Sequence, residues 1–210
     1  NDNLLPPIMG RNYEIGWKGE WNEGRLNTSV ALYRTDKDNN NQRVNARPHP
    51  YWEPLDQSSR GLDAEISGSL TDRWQVYAGY TFNRSTNRNS VGDNVESRRK
   101  GYNFSSHTPK HMFRLYTSYI LPVDDGKWTV GLGLKSSSKT ANSYGSIKQG
   151  GYTVWNTNVQ YRPSKNLQLG LAVNNLTDKR YYENQYSRGL NSGNFYGEPR
   201  NAVFSLKWKM

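Results

Sequence analysis

Apolar side chains recur at every second position over much of this chain. In "LQLGLAVN", Leu167, Leu169, Leu171 and Val173 alternate with Gln168, Gly170, Ala172 and Asn174. That period of two marks a strand with one apolar face and one polar or small face. About nine segments read this way. The first sets Tyr13, Ile15, Trp17, Gly19 and Trp21 against Glu14, Lys18 and Glu20, and the second sets Leu26, Thr28, Val30 and Leu32 against Asn27, Ser29 and Ala31. Leu62, Ala64, Ile66, Gly68 and Leu70 oppose Asp63, Glu65 and Ser67. Trp74, Val76, Ala78, Tyr80 and Phe82 oppose Gln75, Tyr77, Gly79, Thr81 and Asn83. Further stripes run over Phe113–Leu121, Trp128–Leu134, Trp155–Tyr161, Leu167–Val173 and Ala202–Met210. No segment keeps the apolar period of a helix, so few helices are expected.

Each stripe covers roughly ten residues, the length at which a tilted strand crosses a hydrocarbon layer. The opposite stripes carry charges such as Asp63 and Lys207. A dry core accepts such groups only with partners, whereas a water-filled lumen accepts them freely. The links "WNEGR", "LTDR", "LPVDDGKW" and "RPSKN" are tight and rich in turn formers. Between them lie long links, roughly at 35–58, 84–106, 136–150 and 177–197. Short and long links alternate along the chain, as in an outer-membrane barrel with short periplasmic turns and long external loops. Trp21, Trp74, Trp128 and Trp208 all fall at the short-turn ends of their segments. An interfacial aromatic girdle belongs there. The expected fold is therefore all-β, an antiparallel transmembrane β-barrel. A soluble β-sandwich also alternates, but nothing obliges it to alternate link lengths or to gather tryptophans at one end.

Composition becomes intelligible in that setting. Hydrophobic residues make up 33% of the 210, and the mean hydropathy is −0.98. These values are poor for a soluble core but ordinary where only alternate residues meet lipid. With no cysteine, disulfides and thiol chemistry are excluded. The opening "NDNLLPPIMGRNYE" shows no basic and then apolar leader. The net charge of +10 calls for an anionic partner: nucleic acid, lipopolysaccharide phosphates or an acidic small ligand. A nucleic-acid-binding β protein gathers its basic and aromatic residues on one face. Here they are spread over links and one strand face, so nucleic acid is not an expected partner.

The segments "LAVNNLTDKRYYENQY" and "YGEPRNAVFSLKWKM" resemble the closing strands of TonB-dependent siderophore receptors. "GRNYEIGWKGEWNEGRLNTSVALYRTDKDN", "SRGLDAEISGSLTDRWQVYAGYTF" and "TPKHMFRLYTSYILP" look like earlier strands of that family. The resemblance covers nearly all of residues 1–210 and is nearest to receptors for ferric hydroxamate siderophores of the coprogen and ferrioxamine type. It implies a 22-stranded outer-membrane barrel plugged by an N-terminal domain. It also implies a TonB box ahead of the plug, through which TonB delivers energy. No plug or TonB box is matched here, so the chain reads as about the last nine strands, beginning in an external loop. The family's final strand is recognised by the barrel-assembly machinery and usually ends in Phe or Trp. Met210 stands there instead, with Trp208 two residues before it.

Catalytic chemistry is not expected. His49, His107 and His111 lie in or beside links without metal-binding spacing, and Asp124-Asp125 reads as a turn. The resemblance implies that the siderophore already encloses the iron, so no protein-bound metal or cofactor is called for. Recognition of such a complex needs aromatic faces, hydrogen-bond donors and cations at the mouth. The links offer Tyr51, Trp52, Arg98, Arg99, Tyr102, Phe104, Tyr144, Tyr182, Tyr186, Arg188 and Tyr196, with Lys100, Tyr181 and Phe195 beside them. Loop packing or lipopolysaccharide contact is the plainer role for any one of these, and Arg98-Arg99-Lys100 could equally neutralise lipid phosphates. Glu198 and Arg200 read as structural, locking the last loop to the rim. The expected function is TonB-dependent uptake of a ferric siderophore. The alternative is a non-transporting surface barrel, an adhesin or a docking protein for phage or bacteriocin.

Overall fold

The computed structural model describes residues 5–45, 49–92, 95–142, 145–185 and 193–209. In chain order, the strands are β1 (Met9–Trp21), β2 (Leu26–Val44), β3 (Tyr51–Thr71), β4 (Trp74–Asn87), β5 (His111–Ile120) and β6 (Trp128–Ser137). Then come β7 (Thr140–Ala141), β8 (Lys148–Gln149), β9 (Tyr152–Tyr161) and β10 (Leu167–Asn174). Last are β11 (Tyr182–Gln185), β12 (Asn194–Tyr196) and β13 (Asn201–Trp208). Nine of them make one antiparallel sheet in the order β1-β2-β3-β4-β5-β6-β9-β10-β13. The pairs β7-β8 and β11-β12 are separate hairpins inside long links. Helical structure among the described residues is confined to 3-10 turns at Glu96–Arg98 and Asp124–Gly126, and no helix is long and apolar enough to cross a membrane.

Register sorts the side chains by face, because residues directly opposite each other point the same way. One row runs Phe204, Leu171, Val159, Val130, Tyr119, Trp74 across six strands. The neighbouring row, on the other face, runs Val203, Ala172, Asn158, Gly131, Ser118, Gln75. The apolar face does not close onto a protein core: Ile15 is 74% exposed, Phe204 68% and Leu206 63%. Among the described residues the buried apolar side chains are Val44, Leu55, Val91 and Val154. In water such a surface would aggregate, whereas lipid supplies the missing burial.

The tight links sit where the sequence places them. Asn22, Glu23 and Gly24 all take positive φ, as do Asp124, Asp125 and Gly126. Asp124 and Asp125 are thus turn residues, and the Lys127 ammonium, 2.8 Å away, holds the Asp124 carboxyl below its usual range. Aromatic residues mark this end. Trp128 stacks on Tyr161 and Trp74 meets Tyr119 edge-on. The indole N–H groups of Trp21 and Trp74 donate to Thr28 and Thr117. An indole with a satisfied donor and an apolar body is suited to the interface between lipid and water.

The link expected at 35–58 is different. β2 continues to Val44 and β3 begins at Tyr51, so most of that link is paired strand. A bulge between Lys37 and Asn40, with Asn39 at φ 59, shifts the pairing by one residue. Above an apolar band both faces of a strand meet water, so strand persists there without alternation to announce it. On the inner side of this tall hairpin Val44, Leu55 and Val91 form a small dry cluster that brings the β4–β5 link against it. On the outer side Arg34 donates to Asp36 at 3.1 Å, Arg88 reaches Asp38 at 2.6 Å, and Arg11 also pairs with Asp38. Burial pushes the Asp36 carboxyl up, but donors from Arg34 and Ser58 and the nearby Arg88 outweigh it and hold the group below the usual carboxylate range.

Candidate ligand-binding mouth

At the long-link end, the links fold over the polar inner face. At the end of β4, buried Asn87 anchors the β4–β5 link: its side-chain amide donates to the carbonyls of Ser97 at 2.9 Å and Arg99 at 3.3 Å. The amide of Gly92 donates to the Glu53 carboxylate and that of Lys100 to the Ser90 hydroxyl. Held this way, the link presents Arg99 and Lys100 to solvent, while Arg98, Tyr102 and Phe104 are half-buried. Tyr51 and Trp52 belong to β3 rather than to a loop, and alternation parts them. Tyr51 shares the inner side with Val44, and Trp52 shares the outer side with Arg43.

The two small hairpins dock on each other. The Gln149 side chain exchanges hydrogen bonds with the Tyr182 backbone, and the Thr140 hydroxyl donates to Gln185 at 2.7 Å. Tyr182 and Tyr196 stack with ring centroids 4.5 Å apart, and Tyr152 and Tyr181 stack at 4.6 Å. Gly197 permits the second stack, because a Cβ there would fall 2.0 Å from the Tyr181 ring. Burial and the Glu183 carboxylate push the Tyr181 hydroxyl up to about 12. Lys135 on the wall pairs with Glu183 at 2.8 Å and ties β11 inward.

Beneath these hairpins lies a cavity of about 120 Å³ that Arg114, Lys135, Ser137, Tyr182 and Gln185 help to line. The buried Ser137 hydroxyl and Gln185 amide nitrogen have no protein partner there. Arg114 lies directly opposite Lys135 on the inner face, and its guanidinium donates to the Met112 sulfur at 3.5 Å. Arg114 alternates with the apolar residues of the stripe at Phe113–Leu121 and is not among the binding candidates the sequence offers. The usable signal was a cation inside a strand whose opposite face is apolar. Of the expected residues, Tyr182 and Tyr196 are brought into contact, and Arg98, Arg99, Tyr102 and Phe104 share one anchored link. Tyr144, Tyr186, Arg188 and Met210 lie outside the described residues. No cluster of three or more metal-binding side chains occurs among the described residues.

The two motif segments that close the chain meet each other. The buried Asn175 amide donates to the carbonyls of Lys179 and Glu198, both at 2.9 Å, and its oxygen accepts from the Lys179 amide. The Asp178 carboxylate accepts from the Arg200 backbone at 3.0 Å. "NNLTDK" and "GEPRN" thus form a clip that fixes the last link to the rim, consistent with a structural role for that stretch.

Comparison with known proteins places this architecture. The family profile "TonB dependent receptor-like, beta-barrel" matches residues 1–176. The chain is 36% identical over 214 residues to the ferric-pyoverdine receptor PbuA of a Pseudomonas strain, covering 97% of this chain and 25% of that protein. It is 33% identical over 224 residues to the ferripyoverdine receptor of Pseudomonas aeruginosa, covering 99% and 26%. Among solved structures, the pyoverdine receptor FpvA of P. aeruginosa bound to pyoverdine superposes with a TM-score of 0.80 at 31% identity, over 100% of this chain and 31% of that one. The ferric-catecholate import receptor Fiu of Escherichia coli, in its closed form, gives 0.80 at 27% identity, over 97% and 28%. The chain spans about a quarter of the length of the curated relatives it matches. These relatives are receptors, not enzymes, and barrels of this kind reside in the outer membrane of Gram-negative bacteria. The chain belongs to the TonB-dependent receptor β-barrel family.

Proposed function

We propose that this chain forms one wall of an outer-membrane receptor that imports a ferric siderophore. What supports the reading best is a lipid-facing sheet whose polar inner face is roofed by inward-folded hairpins bearing stacked tyrosines and nearby cations. Such a mouth suits the outer surface of a bulky chelate, with the iron held by the siderophore and not by protein groups. TonB would act through sequence outside residues 1–210, and the barrel-assembly machinery through β13. The relatives' names point to pyoverdine and catecholate ligands. They give no support to the hydroxamate class expected from the sequence, so ferric pyoverdine is the first ligand to test.

The experiment is uptake of radiolabelled iron, given as ferric pyoverdine, catecholate or hydroxamate, by a receptor-deficient strain carrying the full-length receptor. Uptake of one class, abolished when TonB is deleted, is the expected result. No binding or uptake of any class would overturn the proposal. A second reading, bacteriocin docking, is favoured by likeness to a receptor solved with a pyocin, at a TM-score of 0.79. It predicts killing that requires the external links, whether or not iron is imported.

A further inference from the structure

The cavity beneath the two docked hairpins is too small for a whole chelate and rich in unused donors. Its volume of about 120 Å³ holds about four waters, whereas pockets that enclose a drug-sized ligand begin near about 300 Å³. On the inner face, β5 and β6 place Arg114 beside Lys135 and Met112 beside Ser137. From above, β11 brings Gln185, whose carbonyl oxygen already accepts from the Thr140 hydroxyl. The Gln185 amide nitrogen has no partner although the residue is only 4% exposed, and the Ser137 hydroxyl has none at 6%. A buried donor without an acceptor is costly. Charge points the same way. Lys135 is paired with Glu183, but Arg114 has no ion pair among the described residues. Its contact with the Met112 sulfur is to a weak acceptor. Asp63 and Glu65 line a separate hollow with Arg114. Glu65 lies beyond Gly79, two strand spacings or about 10 Å across the sheet. One positive charge therefore stands unneutralised on the lining.

We propose that Arg114, Ser137 and Gln185 form a subsite for a single carboxylate. The guanidinium fork takes the two oxygens of a carboxylate side by side. The hydroxyl and the amide nitrogen serve its remaining lone pairs, and its one negative charge balances the free cation. Water would satisfy the two neutral donors but leave Arg114 without a counter-charge. Seated there, a carboxylate bridges the wall and β11, tightening the roof of the mouth. The group comes from a free small acid or from an acidic arm of the imported chelate. The second source rests on the import reading above, and the first does not.

The test uses the full-length receptor in nonionic detergent and a chloride-free zwitterionic buffer. In the first arm, carbon-13-labelled acetate or its neutral isostere acetamide is titrated at constant ionic strength and followed by line broadening. In the second, affinity is compared for ferric pyoverdine bearing a free-acid arm and for the same chelate with that arm converted to its amide. A free acid as the source predicts saturable acetate binding, at least about tenfold tighter than acetamide, weakened about tenfold by Arg114→Gln and about fivefold by Ser137→Ala. An acidic arm as the source predicts that amidation costs about tenfold in the wild type and less than about twofold in Arg114→Gln. Acetate binding no tighter than acetamide, together with an amidation penalty equal in wild type and variant, would overturn the proposal. If ferric pyoverdine is not bound at all, the import reading for that ligand fails, and acetate against acetamide alone decides the subsite. The same comparison on the wild type decides if a variant loses heat-modifiable electrophoretic mobility and so is not folded.

Discussion

Leu171 and Gln168 sit three residues apart on β10 and meet different solvents. Leu171 lies in the outer apolar row, and Gln168 faces the lumen, where it hydrogen-bonds Gln160. Replacing Leu171 by Arg should cost about 2–4 kcal/mol in unfolding titrations of the full receptor in lipid. Gln168→Arg, on the same strand, should cost less than about 0.5 kcal/mol. Equal costs would mean the faces are wrongly assigned. This partition was legible in the sequence because burial on one face writes itself as a period of two. The ion pairs above the band were not, since Arg34, Asp36, Asp38 and Arg88 become neighbours only through the tall hairpin. Asp36 gives that cluster a pH dependence. Its folded value is lowered, so its stabilisation is present above ordinary carboxylate titration and is lost as pH falls through the lower folded value. Acid should therefore loosen the top of β2 and β3 first, read as protease nicking near Asn45. Asp36→Asn should produce a similar loosening at neutral pH, about 1–3 kcal/mol locally.

At the scale of elements, the membrane-crossing parts of the strands and the tight turns were readable, and the architecture of the long links was not. Above the lipid no solvent contrast imposes alternation, so the upper halves of β2 and β3 carry no strand signature and looked like loop. The hairpins β7-β8 and β11-β12 depend on side chain–backbone bonds such as Gln149 to Tyr182, whose partners are remote in sequence. The clip made by Asn175 was visible as a motif but not as a mechanism. Asn175→Ala removes the buried donor to the Lys179 and Glu198 carbonyls and the acceptor of the Lys179 amide. It should weaken the rim by about 1–3 kcal/mol, seen as faster hydrogen exchange across 175–181 with the lower wall unchanged. Gly68 is a second test. It sits at φ +132, where a Cβ would lie 2.0 Å from the Arg25 carbonyl oxygen. Gly68→Ala should therefore cost more than about 1 kcal/mol of receptor stability in the same unfolding titrations.

For the molecule as a whole, the sheet is open, with β1 and β13 as its edges. Unpaired backbone groups at such edges are costly in lipid, so this chain by itself should not make liposomes permeable to a siderophore. Similarity to pyoverdine receptors places the wall in a family. The central claim is that every second side chain of the wall has lipid as its solvent. Spin labels placed singly from Leu167 to Asn174 in the full receptor, reconstituted in bilayers, test it directly. Accessibility to dissolved oxygen should peak at Leu167, Leu169, Leu171 and Val173, and accessibility to a water-soluble nickel chelate at the residues between. A profile without that alternation, or odd positions closed to both probes as in a dry protein interior, would contradict the account.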